Sequence, residues 1–246
     1  MALADSIVSR RRPTPVTDGL TGASADRRTP YGDLNNYSIP RYSLADEGSY
    51  YHVTNPTIDT TVGYGVLAAY AATTPAFLVV NTAVAGGRTI FLDFLTLRVT
   101  VAPASATNWK YVVDVDSTQR ISTAPTGGAN RTSEVNNINP LMPNDFEGQV
   151  WAFTGGTVLT VMAASNARKV AHGPWANSIP VALDEMTIQF GNGAIGATPV
   201  ATVGRRVVGA GPVIIPPGCS AAIHMYGASN AITGMSAEYS MGLWQR

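Results

Sequence analysis

Apolar and polar residues alternate along two neighbouring stretches in the middle of the chain, Leu95–Val101 and Asn108–Asp116. A period of two residues is typical of a β-strand that buries one face. Because only the short segment APASAT connects the two stretches, the pattern predicts an antiparallel hairpin with one buried face. The residues predicted to face inward are Leu95, Leu97, Val99 and Val101 in the first stretch and Trp109, Tyr111, Val113 and Val115 in the second.

Similar apolar runs recur along the chain and predict a series of short strands. The segment QVWAFTGGTVLTVMA predicts a second hairpin, with Gly155 and Gly156 as its two-residue turn. We expect no helix longer than about two turns, because an interior glycine costs about 1 kcal/mol and an interior proline about 3 kcal/mol. The pattern therefore predicts an all-β protein with a single, jelly-roll-like β-sandwich. The further predicted strands are Val62–Ala71, Phe77–Asn81, Met186–Phe190, Arg205–Val208, Val213–Ile215, Ala221–Tyr226 and Ala237–Trp244.

Residues 1–60 lack a sustained period and are rich in proline, glycine, aspartate, arginine and tyrosine. A polar segment of this length is usually ordered only when something else holds it. We therefore predict an extended N-terminal arm that neighbouring subunits hold in place, followed by the sandwich over residues 61–246. Tyrosines, among them Tyr50 and Tyr51, would anchor the arm, because aromatic residues are favoured at interfaces. The residues assigned to this predicted interface are Arg10, Arg11, Arg12, Arg27, Arg28, Tyr31, Tyr37 and Tyr42.

The charge of the chain favours protein partners over nucleic acid. Its sixteen basic residues balance its sixteen acidic residues, and charged residues make up only 13% of the sequence. Between Met1 and Ala45, six arginines are set against four aspartates, so we expect the arm to form salt bridges with protein. Low net charge promotes association, which suits a surface that partners cover. We therefore expect a homo-oligomer.

The N-terminal residues also bear on where the protein is expected to act. They lack the apolar core of a signal peptide, and no stretch approaches the length needed to span a bilayer. A single cysteine, Cys219, cannot form an internal disulfide. We therefore expect assembly in a reducing cytoplasm without membrane contact.

Three features of the sequence suggest chemistry, and each has a simpler structural interpretation. The segment FGNGAIG matches a dinucleotide-binding pattern, but the residues after it are not helical and contain no acidic residue for a ribose. Asp114 and Asp116 could hold Ca²⁺, although we expect them to be solvated outward residues of a strand. Cys219 and His224 lie on opposite faces of a strand if the strand is continuous, so they cannot act as a catalytic pair. We predict no enzyme activity, no cofactor and no metal site.

The arm, the low-charge sandwich and the C-terminal strand segments IPPGCSAAIHMYG and EYSMGLW together resemble virion structural proteins. In particular, the chain resembles jelly-roll proteins of tailed bacteriophages such as head decoration, or cement, proteins, which in the host are assembled in the cytoplasm. The resemblance implies a non-enzymatic protein on the capsid exterior that contacts the major capsid protein or other virion proteins. It also implies a symmetric homo-oligomer, with a trimer favoured. Two alternatives stay open: a jelly-roll capsid shell protein, or a tail or host-recognition module that binds carbohydrate, for example by stacking on Trp175.

Overall fold

The computed structural model describes residues 41–55, 62–66, 69–104, 108–117, 128–153, 167–176, 180–191, 205–228 and 232–246. The chain divides into two compact units, Met1–Leu44 and Ala45–Arg246. In the first unit, the structure describes only the start of the short helix α1, Arg41–Asp46. Among the described residues, no helix is long and apolar enough to cross a membrane.

The second unit is built from β-strands, which the alternating sequence predicts. A single-turn 3₁₀ helix, Thr132–Glu134, interrupts them between β6 and β7. The strands are β1 Tyr50–Thr54, β2 Val62–Val66, β3 Phe77–Asn81, β4 Ile90–Val101, β5 Asn108–Asp116, β6 Gly128–Asn130, β7 Val135–Asn137, β8 Gly148–Phe153, β9 Arg168–Ala176, β10 Glu185–Phe190, β11 Arg205–Ala210, β12 Val213–Ile215, β13 Ser220–Ala228 and β14 Ile232–Gln245.

The strands form two sheets that pack face to face as a sandwich, which confirms the predicted fold class. The eight-stranded sheet has the order β11-β10-β4-β14-β1-β7, with β12 beside β4 and β2 beside β14. The six-stranded sheet has the order β6-β8-β3-β13-β5-β9. All described pairings are antiparallel except that of β10 with β11.

The core lies between the sheets and is formed by every second residue of the strands. In β4, Leu95, Leu97 and Val99 are buried as the alternation predicts, whereas Val101, at the end of the strand, is 49% exposed. In β5, Trp109 and the residues that alternate with it pack into the same core from the other sheet. Burial of this apolar surface on both sheets is the main force that holds the sandwich together.

The predicted hairpin between β4 and β5 is wrong. Strand β4 belongs to the eight-stranded sheet, between β10 and β14, whereas β5 belongs to the six-stranded sheet, between β13 and β9. The segment between them therefore crosses from one sheet to the other. Alternation shows that both strands bury one face on a core, but strands that pair within one sheet and strands that face each other across a sandwich have the same pattern.

The boundary of the sandwich also differs from the prediction. Strand β1 lies within residues 1–60, yet it pairs with β14 and β7 in the eight-stranded sheet. Tyr51 is in the core of the sandwich and Tyr50 is buried on the other face of β1, so neither is an anchor on an extended arm. The residues predicted for the turn of the second hairpin, Gly155 and Gly156, lie outside the described residues.

The other predicted strands are present, with ends that shift by up to five residues. Residues 157–163, the second half of the predicted second hairpin, lie outside the described residues. Four further strands, β1, β6, β7 and β9, were not predicted. Strand β9 contains Gly173 and Pro174, which weaken a strand pattern, and it lies at the edge of its sheet, where proline is tolerated. Strands β6 and β7 have only three residues each, too few to show a period.

Candidate functional site

Most of the residues predicted for the arm interface lie outside the described residues. These are Arg10, Arg11, Arg12, Arg27, Arg28, Tyr31 and Tyr37. Tyr42 lies in helix α1. The glycine loop that follows Phe190 also lies outside the described residues after Gly191, which ends β10 with a positive φ of 75°. The described residues instead bring together three features that could have a function: a buried polar cluster, two exposed apolar patches and a groove.

The buried polar cluster lies on the outer face of the six-stranded sheet. The Tyr70 hydroxyl donates a hydrogen bond of 2.5 Å to Asp114 Oδ2, and His224 Nε2 lies 3.3 Å from the same oxygen. The rings of Tyr70 and His224 meet edge to face at 5.1 Å, and the Lys169 ammonium lies 4.5 Å from the centre of the Tyr70 ring. Asp114 and His224 are each only 1% exposed, whereas Tyr70 is partly buried and Lys169 is exposed.

The prediction that Asp114 and Asp116 are solvated is therefore wrong. They do lie on the face of β5 opposite to Trp109, but Asp116, too, is only 1% exposed. The apolar residues Leu78, Val80, Trp151, Phe153 and Ala222 form a second buried cluster on the outer face of this same sheet. The sequence shows which face of β5 is polar, but burial of that face depends on segments distant in the chain, such as the one that contains Tyr70.

The C-terminal stretch that contains Cys219 and His224 forms a tight turn into a strand, as predicted. The Cys219 amide donates to the Pro216 carbonyl at 3.0 Å, and Gly218 has a φ of 75°, the geometry of a type II turn. Cys219 precedes β13 and is partly rather than fully buried. Burial raises the pKa of its thiol, and nearby Asp116 raises it further, so the reactive thiolate is disfavoured.

Among the described residues, no three histidine, cysteine, aspartate or glutamate side chains are grouped so that they could hold a metal ion.

The first group of exposed apolar side chains, the β4-start patch, is spread over the loops that precede β4 and β8. Val84 lies on the first loop and Ile138, Leu141 and Met142 lie on the second, and Leu141 is 91% exposed. Arg88 joins the two loops through hydrogen-bonded ion pairs with Asp145 at 2.8 Å and Glu147 at 3.0 Å. The Arg88 guanidinium lowers the pKa of Asp145, while burial and the hydrogen bond to Asp145 raise the pKa of Tyr51 to about 12. The loops are therefore tied to each other and, through Tyr51, to β1.

The second apolar patch, the β4-end patch, lies along the last residues of the same strand. It consists of Val101, Val181 and Leu183, which are all exposed. Residues 181–184 form a turn in which the Asp184 amide donates to the Val181 carbonyl at 3.1 Å. The Leu183 amide donates to the Val99 carbonyl at 2.7 Å, and the buried Asp184 carboxylate accepts a hydrogen bond from the Val181 amide at 2.9 Å. These bonds fix the turn against β4.

Leu183 is held in a strained conformation while its side chain faces solvent. Its φ is 75°, and it is the only described residue other than glycine with a positive φ. Leu183 is 66% exposed, so burial among the described residues does not compensate for the strain. A residue of this kind costs about 1–2 kcal/mol in the left-handed region, where glycine or asparagine is the common choice. The sequence PVALDE contains neither, which explains why the turn was not predicted.

The groove lies on the outer face of the eight-stranded sheet and has a volume of about 460 Å³. Side chains cross this face in rows because the residues are in register on neighbouring strands. The charged row consists of Glu185 on β10, Arg98 on β4 and Glu238 on β14, with Arg98 Nη1 3.9 Å from Glu238 Oε2. Arg205 on β11 is in register with Glu185 and continues this row. The next row is the hydroxyl row, formed by Thr187, Thr96, Ser240 and Thr54. Asn55 extends the wall of the groove by a 3.0 Å bond from the Tyr239 amide.

A row of rings lies beyond the hydroxyl row. In this ring row, Phe94 and His52 lie on either side of Gly242, with their ring centres 6.0 Å apart. His52 Nε2 is 2.7 Å from Ser240 Oγ, and burial lowers the pKa of His52. A Cβ atom at Gly242 would lie 2.5 Å from the Phe94 ring and would also meet the Tyr50 hydroxyl, so only glycine fits between the rings. The sequence shows each of these residues at an outward position, but it does not show that the rows align.

Comparisons with models of protein families, with curated protein sequences and with solved structures each find no match for this chain.

Proposed function

We propose that this protein is a non-enzymatic structural protein of a virion, which decorates and stabilises the capsid through contacts with copies of itself and with other virion proteins. The proposal joins the resemblance stated above to the distribution of exposed apolar side chains on the sandwich. The protein would bind to the surface of other virion proteins and be contacted in turn by its neighbours. The predicted N-terminal arm would add a further contact in such an assembly.

The strained, exposed Leu183 is the observation that carries the proposal. Backbone strain persists when some other contribution compensates for it, and it occurs most often at functional positions. A glycine at residue 183 would relieve the strain without loss of a buried contact. An apolar side chain at this position is therefore useful only if it contacts something outside the chain, as in a protein interface.

The positions of the two patches support assembly between copies. They lie at opposite ends of β4, whose 12 residues span about 36 Å at roughly 3.3 Å per residue. The two patches differ in sequence. A contact between the β4-end patch of one copy and the β4-start patch of the next would therefore be of the head-to-tail type. Such contacts close into rings or extend into a lattice. Both arrangements are found in capsids and on their surfaces.

The first test compares the assembly state of the full-length protein with that of Leu183→Gly and Leu183→Asp. We expect the wild-type protein to sediment as a defined oligomer and both variants to dissociate at lower protein concentration. Because glycine relieves the strain, Leu183→Gly should melt at the same temperature as the wild type or higher. Ala182→Gly is the matched control, and it should leave the oligomer intact. A wild-type protein that sediments as a monomer at all concentrations would contradict the proposal.

A second test addresses the virion directly. Antibodies against the protein should label the outside of intact particles purified from cells that produce it, at regular positions in electron micrographs. Labelling of tail structures would instead favour the host-recognition alternative, and a shell composed of this chain alone would favour the shell protein. If purified particles lacked the protein, the proposal would fail.

A further inference from the structure

We infer that the loop before β8, residues 138–147, docks against the β4-end patch of a second copy of this chain. We call this segment the β8 loop. The inference rests on the proposed function, because it requires that copies of the protein contact one another. It deepens that proposal by naming the two surfaces that meet and the side chain at the centre of the contact, Leu141.

The β8 loop presents a group of apolar side chains to solvent. Leu141 is 91% exposed, more than any other large apolar residue that the structure describes, and its neighbours Ile138 and Met142 are also exposed. Two exposed prolines, Pro140 and Pro143, flank the tip of the loop. A single exposed leucine is ordinary on a protein surface, but a group of this kind is typical of a contact site.

Asparagine side chains hold the β8 loop in one conformation. Asn137 Nδ2 donates to the Gly48 carbonyl at 2.7 Å, and Asn139 Oδ1 accepts from the Leu141 amide at 3.1 Å. Asn144 Nδ2 donates to the first carbonyl of β7 at 2.7 Å. Because the loop is ordered before a partner arrives, less conformational entropy is lost when it binds.

The β4-end patch adjoins a concave surface that suits a protruding loop. The Leu183 amide donates to the Val99 carbonyl, and Val99 follows Arg98, which lines the groove. Glu185, which also lines the groove, lies two residues after Leu183. Exposed apolar side chains therefore lie beside a depression of about 460 Å³. Complementary shapes of this kind are a property of specific protein interfaces.

The exposed charge at this end of the groove is positive. The Arg98 side chain is 53% exposed, whereas that of Glu238, 3.9 Å away, is only 16% exposed. Glu185 is half-buried and in register with Arg205, and the buried Asp184 carboxylate accepts a hydrogen bond within its own turn. The carboxylates are therefore covered or matched within the chain, while the Arg98 guanidinium can face a partner.

The surroundings of the β8 loop have the opposite charge. Helix α1 ends beside the loop, because Asn139 Nδ2 donates to the Asp46 carbonyl at 3.3 Å. Among the described side chains around the loop, four carboxylates outnumber two cations, and opposite charges on facing surfaces favour the correct pairing. The carboxylates are those of Asp46, Glu47, Asp145 and Glu147, and the cations are Arg88 and Arg246.

The two surfaces of one chain are too far apart to meet. They lie at opposite ends of β4, which has 12 residues and spans about 36 Å at roughly 3.3 Å per residue. The contact must therefore join two copies, with the β8 loop of one against the β4-end patch of the next. Each copy keeps one surface of each kind, so the contact repeats from copy to copy.

The first experiment measures the dissociation constant of the full-length oligomer by sedimentation. Leu141→Ser should raise this constant by about 10- to 100-fold, because the apolar side chain at the centre of the contact is lost. Leu141→Met, which conserves an apolar side chain of similar volume, should stay close to the wild type. Val170→Ser changes an exposed apolar residue outside both surfaces and should have no effect. All three variants should melt at the wild-type temperature, because both positions are exposed.

The second experiment identifies the surfaces that meet. Pro143→Cys and Ala182→Cys place a thiol beside each surface, and each is made in the full-length chain with Cys219→Ala. The two variants are produced together in one cell, one of them with an affinity tag, and the oligomer is treated with a short bismaleimide. We expect cross-links between a Pro143→Cys copy and an Ala182→Cys copy, and none when either variant is produced alone.

The possible outcomes separate this inference from the proposed function. If Leu141→Ser assembled as tightly as the wild type while Leu183→Gly dissociated, the inference would be overturned and the assembly role would stand. Cross-links only between identical variants, or only to a different protein in purified particles, would have the same meaning. A wild-type protein that is monomeric at all concentrations would contradict both.

Discussion

A tyrosine hydroxyl donates a 2.5 Å hydrogen bond to an aspartate on the outer face of each sheet, and the two pairs differ mainly in their surroundings. On the six-stranded sheet, Tyr70 binds Asp114, which is 1% exposed and also lies beside His224. On the eight-stranded sheet, the Tyr50 hydroxyl donates to Asp93, which is partly exposed and precedes Phe94 of the ring row. The same bond geometry therefore occurs in one closed and one open environment.

The comparison shows that the outer faces of the two sheets differ in their access to water. Asp114 and His224 are each 1% exposed, whereas Asp93 is partly exposed. A buried polar group is costly unless it is hydrogen-bonded, so the Tyr70 bond should contribute more to stability than the Tyr50 bond.

The largest effect should come from removal of the buried carboxylate. Asp114→Ala leaves the Tyr70 hydroxyl without its acceptor, so the free energy of unfolding should fall by about 3 kcal/mol. The matched variant on the other sheet, Asp93→Ala, should cost about 1 kcal/mol because water can reach that site. Urea denaturation measures both values. Equal losses would show that burial does not distinguish the two pairs.

A smaller effect is expected from glycine substitutions, with one position in each sheet. Gly242→Ala in β14 should lower the free energy of unfolding by about 1–3 kcal/mol, because the new methyl group overlaps the Phe94 ring. Gly173→Ala in β9 should change it by less than about 1 kcal/mol, because its Cβ would lie 3.4 Å from the Tyr111 ring, an ordinary contact. If both variants melted like the wild type, the ring row would be looser than the structure indicates.

The smallest effect concerns pH and the histidine of the open face. Burial lowers the pKa of His52 below its usual 6.5, so the folded protein favours the neutral ring. The neutral His52 ring therefore makes its full contribution to the free energy of unfolding above pH 6.5. This contribution is lost as the pH falls below that value, because the unfolded chain takes up the proton more readily than the folded protein. Between about pH 7.5 and pH 5.5, His52→Gln should flatten the decline in melting temperature. His172→Gln changes an exposed histidine. In this variant the melting temperature should fall with decreasing pH as it does in the wild type.

The sequence by itself determined the fold class and the position of most strands, because a period of two residues reflects a local property, the alternation of side chains across a strand. It also determined the turn at Pro216–Cys219, since proline and glycine fix the backbone locally. The same reasoning separated Cys219 from His224. These features need no knowledge of distant segments, and the structure confirms them.

Only the tertiary structure decided which strands pair and which outward faces are buried. Alternation in β4 and β5 could not place them in different sheets, because both patterns require only contact with a common core. The burial of Asp114 depends on Tyr70, 44 residues away in the chain, and the rows of the groove depend on register between strands as distant as β1 and β14. Strain at Leu183 likewise arises from hydrogen bonds to β4. Long-range contacts of this kind are set by the packing of the whole chain, which local patterns of polarity do not contain.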